Sequence, residues 1–545
     1  METKKLQEIL HGEVSTAPAD LQHYSRDASI FEITPEVIVH PKDTEDIKRL
    51  VKYVSQEKIS NPKLSLTARS GGTCMTGGSI NDSIILDFTT HMNHMGVVEN
   101  GSVWSEPGRY YRDFEKATLQ DGWLMPSYPA SRAICAIGGM VGNNAGGEKS
   151  LSYGQVKDWV TDVAVVLADG QEYTFGPINT TELEKKLQQA NFEGEVYRFM
   201  HDLLEKKFDL IGASKPSTSK NSAGYLLWDV WDKKTFDLSK LFVGSQGTLG
   251  IITRTTFKLI QPKPYSKLLV ILLPDEHSLG RIVGTIKQHQ PESFELYDDH
   301  TLKLALTFLP EMMKKMGGKT LRLLWQFLPE LWMSFTGGMP KLVLLAEFTG
   351  NTEGAVLANA QGAAREVHES FGAQTHLAKS EQEAKKYWTI RRESYNLLRT
   401  HSPGKVSACF IEDIVVHPDQ LPEFLPRLNA IFAKHNGFTY TIAGHAGDAN
   451  FHIMPLMNLA DEAERKAVLE MSEEVFSLVR EFHGSITAEH NDGIVRGPYL
   501  HKMYSPEILT VFAEVKKFFD PLNIFNPHKK TDANLDFFMQ HMRKT

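Results

Sequence analysis

An α+β fold of two or three domains is what this sequence predicts, and three observations carry the prediction. At 545 residues the chain exceeds what one hydrophobic core fills. Short β-branched runs alternate with helical stretches from Pro35 onward, a pattern of mixed sheets and helices. Loop chemistry changes near Pro262 and Pro264, where a glycine-rich region gives way to apolar strands and longer helices.

The elements follow in order. Residues 1–32 form a short helical, polar lead-in. Val37-Ile38-Val39-His40 is a strand ended by Pro41, and Thr44 to Gln56 places Ile47, Leu50, Val51 and Val54 on one helical face. Ser65 to Arg69 and Ile84 to Asp87 are strands, and Val160 to Leu167 followed by Asp169-Gly170 is a strand and turn. Leu241-Phe242-Val243-Gly244 and Ile251-Ile252-Thr253 close this region. Leu268 to Pro274 opens a second one, with a helix at Glu276–Gln288, strands at Leu342–Phe348 and Phe438–Ile442, and a helix at Asp461–Phe482. A helix from Pro506 to Phe519 ends at Asp520-Pro521 and is followed by Asn526-Pro527. Domain limits of 1–32, 33–262, 263–500 and 501–545 are expected. Between Leu302 and Gly338, large apolar residues mix with Lys303, Lys314, Lys315, Lys319 and Arg322. Two amphipathic helices split at Gly317-Gly318 fit that stretch; they pack on the domain or a partner subunit, or lie in a membrane surface.

Composition narrows the function. Hydrophobic content of 41% and charged content of 23% are those of a globular protein, and a net charge of −8 leaves no footprint of a nucleic-acid binder. Cys74, Cys135 and Cys409 form no CxxC pair, so neither a zinc ribbon nor an iron–sulfur cluster is encoded, and scarce, unpaired cysteine fits a reducing compartment. The charged N-terminus has no apolar signal region and no window of eighteen apolar residues occurs, so a cytoplasmic protein is expected.

Three glycine loops carry the first chemistry. Arg69-Ser70-Gly71-Gly72-Thr73-Cys74-Met75-Thr76-Gly77-Gly78 follows a strand and lets backbone N–H groups approach a phosphate. The GxGxxG fingerprint is absent. Pro129-Ala130-Ser131 precedes Gly138-Gly139-Met140-Val141-Gly142-Asn143-Asn144-Ala145-Gly146-Gly147, a surface on which a planar ligand can lie against backbone. Gly244-Ser245-Gln246-Gly247-Thr248-Leu249-Gly250-Ile251-Ile252 is the third. The first alone also fits a sharp turn; together the three suggest an extended cofactor.

The second chemistry lies in Gly444-His445-Ala446-Gly447-Asp448-Ala449-Asn450-Phe451-His452 and Ala488-Glu489-His490-Asn491-Asp492-Gly493. Alternating strands around Gly447-Asp448 predict a hairpin with His445 and His452 near one end. With Glu489 they form a His-His-carboxylate set with an open position, and His490 is left to move a proton. From spacing alone, a polar turn beside two hydrogen-bonded histidines is the commoner arrangement, because turn histidines are common.

These motifs together resemble the vanillyl-alcohol-oxidase (PCMH-type) flavoproteins, and the C-terminal half is similar to the D-lactate, glycolate and D-2-hydroxyglutarate dehydrogenase branch. The resemblance spans roughly Pro35 to Lys530 and includes Phe525-Asn526-Pro527-His528-Lys529. It implies a PCMH-type FAD-binding domain of two α/β subdomains, an α+β cap with an antiparallel sheet, and a C-terminal helical segment that returns to the FAD domain. The implied FAD contacts are Arg69, Ser70, Gly71, Gly72, Thr73 and Gly77; Pro129, Ala130 and Ser131; Gly138, Gly139, Gly142, Asn143, Asn144, Gly146 and Gly147; Gly247, Gly250, Ile251 and Ile252; and Asn526. Thr73-Cys74-Met75 holds no histidine, so FAD is expected to be non-covalent. His445, His452 and Glu489 match the branch's ligands for a divalent metal, Zn²⁺ being the usual ion. His490 matches its base, and Arg391 its substrate-carboxylate anchor. The dicarboxylate enzymes carry a threonine and a lysine where this chain has Tyr395 and Ile411, which favours a monocarboxylate such as D-lactate. The implied activity is oxidation of a small-molecule D-2-hydroxy acid to the 2-oxo acid. Electrons would leave to an external acceptor: a quinone, a cytochrome or an electron-transfer flavoprotein. D-2-hydroxyglutarate or glycolate dehydrogenase is the alternative within the branch; an alkyl-glycerone-phosphate-synthase-like enzyme lacks its histidine run here. A homodimer and a peripheral membrane contact through residues 302–338 are compatible with the sequence.

Overall fold

The computed structural model describes residues 3–309, 338–400, 404–435 and 439–544, with the side chains of 394–400 and 439 outside that description. Most of the amphipathic stretch at Leu302–Gly338 lies outside it too; its start belongs to the helix Asp299–Thr307, capped by the Asp298 side chain.

Three larger sheets carry the fold among the described residues. The first orders Glu13–Ser15, Val37–His40, Ile84–Asp87 and Leu66–Arg69, the last three parallel. The helix Thr44–Glu57 covers it: the Asp43 side chain accepts from Asp46 N–H at its start, and Ile47, Leu50, Val51 and Val54 are all buried. The second sheet is antiparallel and orders Ser102–Ser105, Ile251–Lys258, Val160–Val166 and Glu172–Phe175. Leu241 and Phe242 end a short helix, Ser239–Phe242, in its core.

The third sheet has eight strands, and its central order is Tyr265–Leu273, Leu342–Gly350, Ser293–Asp298, Thr439–His445 and Asn450–Met457, all antiparallel. Both faces are covered, which explains strands that read as nearly continuous apolar runs. Leu269, Ile271, Leu296, Leu344 and Ile453 pack on one side with Ile282, Ala360, Leu428 and Val475 from four helices. Val270, Tyr297, Leu345 and Ala443 face the other way, against Leu302, Trp388 and Ile390 of the helices Asp299–Thr307 and Glu381–Thr400.

The helix Pro506–Phe519 starts with proline at a position that has no N–H to lose, and buries Val511, Phe512, Val515 and Phe519 in the core of the second sheet. The chain then doubles back. Lys516 Nζ pairs with Asp520 and donates to the carbonyls of Thr248 and Phe525, while Asp520 accepts the N–H groups of Ile524 and Phe525. This turn delivers Asn526, which donates to Gly78 O (2.8 Å) and Gln246 O (2.7 Å) and accepts from the Thr67 hydroxyl (3.0 Å).

The same helix fixes the segment before Tyr225. Gly224 has φ +66° and a side chain there would lie 2.4 Å from Phe512 Cε2. Gly224→Ala therefore meets both a left-handed backbone and a blocked site, and is expected to destabilise the fold by at least about 2 kcal/mol. A urea midpoint equal to wild type at unchanged slope would contradict this packing.

Candidate active site

The hairpin positions two histidines by register. Ala443 pairs with His452 and His445 with Asn450, so all four side chains share one face of the sheet. The imidazole centroids lie 5.1 Å apart at 89°. Ala446–Asp448 makes the turn, which Ala449 leaves at φ 51°. The neighbouring strand pairs Leu296 with Gly444, bringing Glu295 beside His445 one position further on.

The remaining groups come from the segment Thr487–Asp492. Asp413 is fully buried, and its Oδ2 accepts from the Glu489 N–H (2.9 Å), the His490 N–H (2.7 Å) and the Thr487 hydroxyl (2.9 Å). Its Oδ1 accepts from Asn450 Nδ2 at 3.2 Å, tying the segment to the hairpin. From the other side, the Ala488 carbonyl accepts from Gln155 Nε2 and the Ser222 hydroxyl, and Asn491 Nδ2 donates to the carbonyls of Asn143 and Gly244.

Three imidazoles converge on one oxygen. The Nε2 atoms of His445, His452 and His490 lie 3.1, 3.5 and 3.7 Å from Glu489 Oε1. Lys220, also buried, donates to Glu489 Oε2 at 2.9 Å and stands 3.4 Å from Asp448 Oδ2. Each histidine has a partner on its other nitrogen: His445 Nδ1 faces Glu295 Oε1 at 2.6 Å, His452 Nδ1 donates to the Glu412 carbonyl at 2.8 Å, and His490 Nδ1 faces Glu412 Oε1 at 3.3 Å. Asp413, His452, Glu489 and His490 also offer ligand atoms within 4.8 Å of one another. Asp413, however, already accepts from four donors, which leaves it the poorest ligand of that group.

Burial and charge oppose each other throughout. Burial would raise the Glu412 carboxyl, but Arg496, 2.7 Å from its Oε2, and His490 outweigh it and bring the pKa down to about 2. Burial disfavours the Glu489 carboxylate, yet Lys220 and His445 hold its pKa well below the usual range. His445 is raised to about 9, since Glu295 overcomes desolvation, whereas burial and the neighbouring imidazoles keep His452 well below its ordinary value.

Beside this cluster runs a cleft whose lining includes Ser70, Gly71, Gly72, Thr73, Gly138, Gly139, Gly142, Asn143, Gly247 and Ile252. A side chain at Gly139 would meet nothing within 4 Å and one at Gly142 only Gln246 Cα at 3.8 Å, so these glycines present bare backbone to the cleft. Such a cradle fits a flat, phosphate-bearing group. Arg69, Asn144, Gly146, Gly147, Gly250, Ile251 and Asn526 lie buried outside its lining, and Gly77, Pro129, Ala130 and Ser131 lie outside it as well. Cys74, Gly78 and Gln246 of the glycine loops, with Ser79, Phe88 and Pro107, line the cleft although none was among the implied FAD contacts. Gln246 donates to Asn143 and accepts from the Gly493 N–H, joining the cleft to the His490 segment. Arg391, on the helix Glu381–Thr400, lies 3.1 Å through Nη2 from Glu295 Oε2. Glu295, Lys220, Glu412, Asp413 and Arg496 also escaped the sequence reading. The one local signal was a charged residue flanked by apolar ones within a strand, as at Glu295 between Phe294 and Leu296.

The architecture is the PCMH-type fold, and the glycine-lined cleft fits a flavin. Residues 35–176 match the family described as FAD binding domain, and residues 263–530 the C-terminal domain of FAD linked oxidases. The chain belongs to the FAD-linked oxidases. It is 25% identical over 525 residues to a D-2-hydroxyglutarate dehydrogenase of Pseudomonas putida, covering 95% of this chain and 50% of that one. The chain thus spans about half the length of that relative. A glycolate oxidase subunit of Bacillus subtilis is 28% identical over 513 residues (93% and 91% covered), and a D-lactate dehydrogenase of Archaeoglobus fulgidus 25% over 497 (90% of each). Among solved structures, p-cresol methylhydroxylase superposes with a TM-score of 0.68 at 16% identity, covering 98% of this chain and 96% of that one.

Lys220 carries a stability prediction. Lys220→Met removes the cation from two buried carboxylates, and is expected to cost about 3–5 kcal/mol. A thermal unfolding midpoint equal to wild type in metal-free protein would show that Glu489 does not depend on it.

Proposed function

We propose that this chain oxidises a D-2-hydroxy acid of the D-lactate kind to the 2-oxo acid, with electrons leaving to an external acceptor. The observation that carries the reading is the convergence of three imidazole Nε2 atoms on Glu489 Oε1 beside the glycine-lined cleft. When bound, FAD supplies the hydride acceptor and a divalent cation a Lewis acid for the substrate oxygens. The loops at Arg69–Thr73, Gly138–Asn144 and Gly247–Ile252 would hold non-covalent FAD; His445, His452 and Glu489 would hold the cation, with Zn²⁺ expected.

Charge supports the cation. The carboxylates of Glu295, Glu412, Asp448 and Glu489 contact the side-chain cations of Lys220, Arg391 and Arg496, and Asp413 joins them through Asn450. Five negative groups against three positive ones leave a charge of minus two, which a divalent ion neutralises without protonating two imidazoles.

The residues of the chain then divide the work. Arg391 binds the substrate carboxylate. Glu412 engages His490 Nδ1, so Nε2 is the atom that accepts the hydroxyl proton, and the ionised Glu412 stabilises the imidazolium that results. The His490 side chain is 20% exposed while His445, His452 and Glu489 are at most 7% exposed, which suits a base that must meet substrate. Ile411, fully buried in the apolar core, offers no charge to a second carboxylate and supports a monocarboxylate. The Tyr395 side chain lies outside the described residues. D-2-hydroxyglutarate is the second reading, favoured by the relative from Pseudomonas putida. No described helix is long and apolar enough to cross a membrane.

Anaerobic addition of D-lactate to the FAD-loaded protein is expected to bleach the flavin absorbance faster than D-2-hydroxyglutarate or glycolate does; faster bleaching by the dicarboxylate would sink the D-lactate assignment. His490→Ala should retain bound FAD and slow bleaching by about 10²–10⁴-fold. An unchanged rate would remove His490 from the chemistry.

A further inference from the structure

We infer that Glu295 is a positioning residue that fixes the carboxylate-binding arginine relative to the metal-binding histidine. The inference rests on the function proposed above and adds to it a residue outside the set of ligands, base and anchor. Glu295 is 1% exposed and divides its two oxygens between two partners: Oε1 lies 2.6 Å from His445 Nδ1 and Oε2 lies 3.1 Å from Arg391 Nη2.

Each contact has a geometric effect. An imidazole whose Nδ1–H is donated to a carboxylate keeps its lone pair on Nε2, and His445 Nε2 is the atom directed toward Glu489. A guanidinium anchored through Nη2 is restrained in position, and with it the place at which a substrate carboxylate is met. The strand that carries Glu295 is paired on both sides, with Leu342–Gly350 and with Thr439–His445, so its backbone is a rigid base for both contacts. A hydroxy acid held at once by the cation and by Arg391 needs those two groups at a constant separation, and the Glu295 carboxylate sets it.

Glutamine cannot replace it. Its amide has one acceptor oxygen, and its NH₂ group would face a donor, so either His445 or Arg391 loses its partner. Aspartate keeps two acceptor oxygens but is one methylene shorter.

The test uses FAD-loaded protein stripped of metal with a chelator, titrated calorimetrically with Zn²⁺ alone, and then assayed with D-lactate. Glu295→Gln is expected to bind Zn²⁺ about 10–100-fold more weakly than wild type and to raise KM for D-lactate, with FAD content unchanged. Glu295→Asp should fall between the two, and serves as the deciding variant if Glu295→Gln does not fold. Zn²⁺ affinity equal to wild type in the folded variants overturns the inference while leaving the metal site standing. Absence of Zn²⁺ binding by the wild-type protein overturns the metal site itself, and this inference with it.

Discussion

Everything at this site depends on one buried carboxylate, Asp413, satisfying the backbone of a segment that has no regular structure of its own. A chain crossing the seam between two cores must find partners for each N–H and C=O away from water. Asp413 accepts the N–H groups of Glu489 and His490. Because its other oxygen is bonded to Asn450, the segment is located by the same hairpin that carries His445 and His452. The three imidazoles and Glu489 therefore share one frame of reference, although they come from elements some forty residues apart. Asn491 and Gln246 extend that frame to the glycine loops.

The arrangement keeps charge where water cannot reach it. Glu489 stays ionised because Lys220 and His445 lie against it, and Glu412 because Arg496 does. Desolvation offsets much of the attraction in each pair. Their value lies in orientation: each spare oxygen is occupied, so the remaining lone pairs point one way.

Much of the fold was legible because it is written in local pattern. The strand at Val37–His40 ends where Pro41 follows, the helix Pro506–Phe519 lies between Pro506 and Asp520-Pro521, and the hairpin around Gly447-Asp448 announces itself by alternation and turn chemistry. The glycine loops were legible by composition, but which of their residues face the cleft was not, because Asn144 and Gly147 differ from Asn143 and Gly142 only in how the chain around them packs. Glu295, Lys220 and Asp413 were illegible for a different reason. Their partners lie 37 to 269 positions away, and no period or spacing relates residues that meet only through tertiary contact.

Gly146 joins the two kinds of chemistry in one residue. A side chain there would lie 2.7 Å from Glu489 Oε2 and 2.8 Å from the Ser150 hydroxyl. The loop that reads as a cofactor surface is thus also a wall of the histidine cluster. Selection on either function acts on the same backbone, so the two halves cannot diverge independently. An engineer who grafts this glycine-rich module onto another cap, or this cap onto another module, inherits that shared wall and must redesign both at once.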